Sequence, residues 1–430
     1  MPNTFMPSFK DAEALKKSQL DGLQWTIAHA YRGSAFYRKW LDGAGIQPKD
    51  IQTLDDIQKL PFTTADDLRE GYPFPLLSVP ESRVVRIHAS SGTTGKRKIL
   101  AYTQKDIDDW THFFARCYEM AGLTQEDRVQ IAVGYGVWTA GASFQLGCEK
   151  FGAMALPVGP GNVDMQCQFL VDLQSTVMCC TASMGLLMAE EINRRKLSDQ
   201  IHLRKMIFGS ERSSDAMRGR IKELLGLEDM FDITGLTELY GPGTGLDCFK
   251  HEGIHYWADY YILEILDPQT LQPVAPGEIG EMVVTTLRKE AAPLIRYRTR
   301  DLTRFIQQPC SCGNILPLHD RILGRSDDMV IFRAVNIYPG QVDEVLSTIP
   351  EANCEYQVHI DRRADGKDYM TIRLECCEGY EAARMAKLAQ KVQAEIKNKI
   401  MVSCEVDVVD YCSLPRSERK SKRFFDNRSD

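Results

Sequence analysis

Blocks of apolar residues repeat along this chain with two different periods. Between residues 11 and 70 apolar positions recur at helical spacing among charged ones, and short turns interrupt them; the pattern predicts a run of helices. At "VVRIHA" (84–89) the period shortens to that of a strand. The stretch "TQKDIDDWTHFFARCYEMAG" (103–122) returns to helical spacing and stops at a glycine. Short β-rich runs then alternate with helical segments: "RVQIAV" (128–133), "AMALPV" (153–158), "TVMCCT" (176–181), "KMIFGS" (205–210) and "MFDITG" (230–235). Such alternation predicts an α/β domain with much parallel pairing.

From about 255 to 306 the helical segments disappear. "HYWADYYILEILD" and "GEMVVTTL", joined by "PQTLQPVAPGEIG", predict consecutive strands of an antiparallel β subdomain. After "GRSDD" (324–328) a fresh pattern begins: strand, helix, strand, helix, strand. The expected organisation is a large N-terminal α/β domain, residues 1–325, with mixed sheets and a β subdomain, followed by a small mobile α+β domain, residues 326–430. The most apolar window, "STVMCCTASMGLLMAEEI" (175–192), contains Ser and Thr and runs into charge, so it reads as a buried strand and helix rather than a membrane span.

Composition narrows the class. The chain has 430 residues, 43% hydrophobic and 26% charged, which is ordinary for a globular protein with a large core. A net charge of −7 argues against a broad nucleic-acid-binding face. The N-terminal segment lacks the apolar core of a signal peptide, and the 13 cysteines are an odd number; both point to reduced thiols in a cytoplasm.

The loop "SSGTTGK" (90–96) concentrates small hydroxyls, glycines and a lysine between apolar flanks. Glycines let backbone N–H groups converge on an anion, hydroxyls donate further bonds, and lysine neutralises charge. This fits a phosphate cradle, although the spacing is neither that of a Walker loop nor G-x-G-x-x-G. A plain solvated turn is the competing reading.

Four more segments bear on the choice. "SSGTTGK" resembles the phosphate loop of the acyl-adenylate-forming ligases, and "DITGLTELYGPG" (232–243) resembles their Thr-Glu motif. "YRTRDLT" (297–303) resembles the ribose-binding Asp motif, "GRSDDMVIFRAVNIYPGQVDEV" (324–345) the hinge segment, and "LPRSERKSKR" (414–423) the C-terminal lysine motif. All five stand in family order, and their details are similar to the phenylacetate–CoA ligase branch.

The resemblance implies an enzyme that joins an aromatic carboxylate to coenzyme A. ATP is attacked at its α-phosphorus to give an acyl-adenylate, and a thiol then displaces AMP. It implies that Ser90, Ser91, Gly92, Thr93, Thr94 and Gly95 hold the β- and γ-phosphates, with Lys96 and Lys98 assisting. Glu238 would bind Mg²⁺, a hard cation suited to carboxylate oxygen, and Thr237 would touch the α-phosphate. Asp301 would accept from the ribose hydroxyls; its competing role is an ion pair with Arg296, Arg298, Arg300 or Arg304. Ser210 and Glu211 would flank adenine, with Asp232, Thr234 and Arg325 in the same nucleotide set. Where the family often has a base-stacking Tyr, this sequence has Thr234.

Tyr135 and Trp138 of "YGVWTAG" fall where the family builds its acyl pocket. Lys420 would meet the reacting oxygens, with Lys422 as the alternative. Asp327 would be the hinge about which the small domain turns between half-reactions. Ala334 replaces a common glycine on the path of the pantetheine arm, which leaves room for a different acceptor: an amine, a carrier-protein thiol or a cofactor hydroxyl. A degenerate nucleotide-binding regulator is a further reading. Cys248, Cys310 and Cys312 with one histidine form a Cys₃His set suited to structural Zn²⁺; similar spacing in this branch favours His255 over His251. The resemblance also suggests a homodimer.

Overall fold

The computed structural model describes residues 4–90, 97–137, 139–211, 213–333, 335–363, 367–416 and 422–428. Its centre is a sheet of nine strands among those residues. The order is Phe305–Ile306, Leu318–His319, Ile254–Tyr256, Gly241–Asp247, Asp229–Leu236, Lys205–Phe208, Val177–Cys180, Arg128–Ile131 and Met154–Leu156. The last five pair in parallel and the first five in antiparallel fashion, so Asp229–Leu236 stands where the two modes meet. Parallel strands are covered on both faces and therefore read as continuous apolar runs; Val177–Cys180 is buried at all four positions. The helices Gln104–Met120, Ala140–Phe151, Ala182–Arg194 and Asp215–Leu225 supply that cover. Gln104–Met120 starts at a Thr103/Asp106 capping box, in which each side chain satisfies the other residue's backbone N–H.

The strand Gly241–Asp247 departs from expectation, because "GPGTGLD" reads as a loop. A Cβ at Gly243 would lie 2.3 Å from Phe114, and one at Gly245 would lie 2.6 Å from the His255 carbonyl oxygen. Only glycine permits this close approach of the strand to its neighbours. The β subdomain also differs in its bounds. Ile254–Tyr256 belongs to the central sheet, while Tyr261–Leu266, Gly280–Thr286, Tyr297–Thr303 and Gly324–Arg325 form a separate antiparallel sheet.

A smaller α+β unit follows. Strands Glu405–Val409, Asp368–Cys376, Ala352–Arg362 and Phe424–Asp426 form one sheet, packed by helices Pro339–Ser347 and Met385–Ile400. It encloses its own apolar cluster around Phe332, Val358, Ile372 and Val392. It is richer in strands than expected: a hairpin, Val330–Phe332 with Val335–Ile337, precedes it, and Ala352–Arg362 pairs directly with Asp368–Cys376. The window 175–192 forms the buried strand and helix read from its pattern, and among the described residues no helix is long and apolar enough to cross a membrane.

Candidate active site

A cleft of about 760 Å³ opens where strand pairing changes mode, with the smaller unit closing one side. In sheets of this kind backbone N–H groups and loops gather beyond the carboxyl ends of the parallel strands. Ser210 and Glu211 follow Lys205–Phe208, and Thr237 and Glu238 follow Asp229–Leu236; all four line the cleft. Ser90, Lys98, Asp232, Thr234, Asp301 and Arg325 line it too. From the smaller unit come Pro339, Gly340, Asp343, Tyr356, Lys422, Arg423 and Phe424. Residues drawn from all five motifs thus face one space.

The phosphate-loop residues Ser91, Gly92, Thr93, Thr94, Gly95 and Lys96 lie outside the described residues, as do Trp138, Ala334 and Lys420. Ser90, at the loop's start, is buried, and its hydroxyl has no partner among the described residues. Lys98, at its end, pairs with the Glu238 carboxylate, which also accepts from the Tyr297 hydroxyl at 3.3 Å. Glu238 is 6% exposed, so its charge is answered inside the protein rather than by solvent.

Asp232 is held from several sides. Its carboxylate accepts from Ser213 at 2.7 Å and pairs with Arg218 at 3.1 Å and Arg321 at 3.2 Å; its backbone N–H donates to Asp247 at 2.7 Å. Glu211 accepts from the Ser183 backbone N–H at 2.5 Å, which ties it to the start of Ala182–Arg194. Thr234 is half-buried, and its carbonyl accepts from Thr244 at 3.2 Å.

Asp301 pairs with Arg325 at 3.0 Å. The four arginines proposed as its rivals have partners of their own: Arg296 meets Glu264, Arg298 and Arg300 meet Glu281, and Arg304 meets Asp320. Arg325 also holds Asp327 through two bonds of 2.9 Å, so one guanidinium bridges the cleft carboxylate and the expected hinge. Asp327 itself is half-exposed and does not line the cleft, whereas Asp328 does. Tyr135 does not line it either; it lies against Gly141, more than a third exposed. Ala140, Phe208, Ile233 and Leu236 are among the apolar residues that line the cleft. Lys422 faces the cleft with its ammonium 5.0 Å from the Phe425 ring.

The smaller unit is docked through a buried charge cluster. Arg416 pairs with Glu190 of the large domain at 3.1 Å and with Glu375 of its own unit at 2.8 Å, and Tyr411 donates to Glu190 at 2.8 Å. Arg220 meets Glu378 at 2.9 Å nearby.

Away from the cleft, the ligand atoms of Cys248, His255, Cys310 and Cys312 all lie within 4.8 Å of one another. The Cys248 and Cys310 sulfurs are 3.5 Å apart, and the Cys312 sulfur is 3.3 Å from His255 Nε2. His255 Nδ1 faces the Leu316 carbonyl at 3.1 Å, which orients the ring. Burial pushes the Cys248 and Cys310 thiols up and His255 down. His251 is engaged elsewhere, between Asp229 at 2.8 Å and Asp247 at 2.9 Å; bonds to these two carboxylates raise it to about 9.

Sequence reasoning missed Lys289, Arg321 and Tyr297. Lys289 and Arg321 sit in none of the five motifs, and Tyr297, although it opens the ribose motif, was given no role of its own. Lys289 is fully buried, and burial lowers it to about 8 although Asp106 and Glu238 act against the shift.

Residues 43–287 match the model of the AMP-binding enzyme family, and residues 334–428 match that of the AMP-binding enzyme C-terminal domain. The phenylacetate-coenzyme A ligase of Escherichia coli (strain K12) is 39% identical over 423 residues, which covers 97% of this chain and 96% of the relative. That of Thermus thermophilus is 36% identical over 434 residues, covering 97% of each. A crystal structure of 2-hydroxyisobutyryl-CoA ligase in the postadenylation state is 25% identical and superposes with a TM-score of 0.89, covering 97% of this chain and 90% of that one. The same ligase with its acyl-AMP and CoA in the thioesterification state gives a TM-score of 0.70, covering 97% and 91%.

Proposed function

As a member of the AMP-binding enzyme family, in its phenylacetate–CoA ligase branch, this chain is an AMP-forming acid–thiol ligase, and we propose how its cleft carries out the two half-reactions and on which acids. The observation that carries the reading is the convergence of five motif regions, scattered between residues 90 and 423, on one cleft. ATP lies with its ribose hydroxyls on Asp301 and its base beside Ser210, Glu211 and Thr234. Lys98 neutralises phosphate charge and the loop from Ser90 to Gly95 donates hydrogen bonds; the buried Ser90 hydroxyl, without a partner among the described residues, suits an anion. Thr237 donates toward the α-phosphate.

A carboxylate oxygen of the acid attacks the α-phosphorus, the bond to pyrophosphate breaks, and the acyl-adenylate forms. A thiolate of CoA then adds to the acyl carbonyl carbon, and AMP leaves. Positioning and charge neutralisation supply most of the rate in such phosphoryl chemistry. Lys420 serves the first step as a cation near the reacting oxygens, with Lys422 as its alternative.

The Glu238 carboxylate fits Mg²⁺: it offers hard oxygen ligands where it lines the cleft. When bound, the metal would neutralise phosphate charge. Cys248, His255, Cys310 and Cys312 fit structural Zn²⁺: three soft thiols and one oriented imidazole converge, with no ligand position left for substrate. The acid is read as aromatic and small by the branch resemblance, and apolar residues such as Ala140, Phe208, Ile233 and Leu236 among the cleft lining suit it. By the branch resemblance the enzyme is read as a cytoplasmic homodimer, for which sedimentation velocity is the check.

The test is pyrophosphate release across a panel of aryl, arylacetic and short aliphatic acids, with and without CoA. An aromatic acid should give release, and CoA should give a thioester and free AMP. Release without any thioester would move the acceptor to an amine, a carrier-protein thiol or a hydroxyl. Absence of release with every acid would overturn the reading.

A further inference from the structure

The segment Thr237–Tyr240 turns sharply between the strands Asp229–Leu236 and Gly241–Asp247. Each of its four successive carbonyls lies within hydrogen-bond distance of a side-chain donor, with the one Tyr102 proton shared between two of them. The Tyr102 hydroxyl reaches the Thr237 oxygen at 3.2 Å and the Tyr240 oxygen at 3.3 Å. The Lys289 ammonium donates to the Glu238 oxygen at 3.0 Å and the Leu239 oxygen at 2.7 Å. Two side chains thus gather all four oxygens.

They also support each other. Lys289 Nζ lies 4.7 Å from the Tyr102 ring centroid and 5.0 Å from that of Tyr240, a cation between two aromatic faces. The loop bearing Lys289 is fixed in turn. The backbone N–H groups of Glu290 and Ala291 donate to the fully buried Asp106 carboxylate at 2.7 and 2.9 Å, and Asp106 caps the helix Gln104–Met120. Neither Lys289 nor Tyr102 lines the cleft.

Burying an ammonium is costly unless its bonds are well satisfied. A neutral donor would hold two carbonyls at lower cost. Here the cation sits behind the one turn that carries both Thr237 and Glu238, while the Glu238 side chain itself engages Lys98 and Tyr297.

Resting on the function proposed above, we infer that Lys289, with Tyr102 as its partner, is a positioning residue for nucleotide binding: it fixes the backbone turn so that Thr237 and Glu238 face the triphosphate. It acts on the half-reaction that contains a triphosphate. Transfer from a finished acyl-adenylate to CoA depends on it less, because the adenylate keeps only the α-phosphate that Thr237 meets.

The test uses the full chain with Lys289→Met, which keeps length and removes charge, and Tyr102→Phe, which keeps the ring and removes the hydroxyl. ATP binding is measured by calorimetry with and without Mg²⁺, beside thermal unfolding and CoA transfer from supplied acyl-adenylate. Lys289→Met should weaken ATP binding about tenfold or more, as for lost bonds from a charged donor. Tyr102→Phe should weaken it about two- to tenfold. Transfer should fall severalfold less than ATP binding does in each variant.

Unchanged ATP binding in Lys289→Met overturns the inference. So does an equal fall in binding and transfer, which would mark general structural damage. Should Lys289→Met fail to fold, Tyr102→Phe decides alone, and unchanged binding there overturns the inference. Parent protein that binds no ATP would instead sink the underlying function; parent protein that binds ATP while both variants match it sinks only this inference.

Discussion

Replacing Glu190 by Gln separates the docking of the smaller unit from the chemistry in the cleft. Glu190 is far from every motif in sequence, yet it receives Arg416 at 3.1 Å and Tyr411 at 2.8 Å across the interface. The paired side chains are 14% and 13% exposed, so the bonds are partly desolvated and only weakly screened. The substitution is clean on one count: Arg416 keeps Glu375, so no buried charge is left without a partner. Bonds to a charged group contribute about 1.5–3 kcal/mol, and some residual exposure with a neutral amide still present lowers the expected loss to about 1–2 kcal/mol. That corresponds to roughly 5- to 30-fold in the docking equilibrium.

The docked arrangement superposes better on a relative in its postadenylation state than on the same relative in its thioesterification state. Glu190→Gln should therefore lower kcat/KM for pyrophosphate release by about 5- to 30-fold. CoA transfer from supplied acyl-adenylate should be unchanged or faster. The melting temperature should move little, because the bond joins two units that each carry a separate core. The two half-reactions are assayed separately on the same preparations. Equal loss in both, or an unchanged first step, would refute the assignment of this contact to the first half-reaction.

Other outcomes follow from single residues. Asp301→Asn should weaken ATP binding roughly ten- to hundredfold in calorimetry, from about 1.5–3 kcal/mol of charged hydrogen bonding; lost fold with unchanged affinity would make Asp301 only an ion-pair partner of Arg325. Thr234→Tyr should tighten ATP binding about fivefold or more by restoring a stacking face, since base–aromatic stacking is worth about 1–3 kcal/mol; unchanged affinity would place the base elsewhere. Purified protein should carry one zinc per chain, and Cys310→Ser should lose it with a fall in melting temperature, because structural zinc contributes folding free energy. Lys420→Ala should stop acyl-adenylate formation yet still transfer supplied acyl-adenylate to CoA; the same split in Lys422→Ala instead would exchange the two lysines.

What the sequence disclosed was carried by period and by local chemistry. The runs that became Arg128–Ile131, Val177–Cys180 and Lys205–Phe208 are apolar because parallel strands are covered on both faces, so their buried state is written in their composition. Glu238 and Asp301 were legible as cleft residues because each stands in a short motif with a family likeness, and both line the cleft. Gly241–Asp247 was not legible, since its identity as a strand depends on Phe114 and His255 pressing against it from distant segments. Lys289 was hidden for a related reason: nothing near it in sequence shows that its ammonium will be surrounded by Tyr102 and Tyr240.

The glycine strand beside the cleft also bears on how this protein tolerates change. Along Gly241–Asp247, added carbons at Gly241, Gly243 and Gly245 would fall 2.5, 2.3 and 2.6 Å from Thr139, Phe114 and the His255 carbonyl. Gly241 and Gly243 also hold positive φ, at 113° and 94°. Every other amino acid carries the offending carbon, so a saturation scan should show a sharp stripe of intolerance here that is indifferent to polarity, charge and size. Elsewhere a core can drift by trading volume between neighbours. At these positions there is no side chain to trade, and evolutionary variation near the cleft is left to the loops that flank the strand.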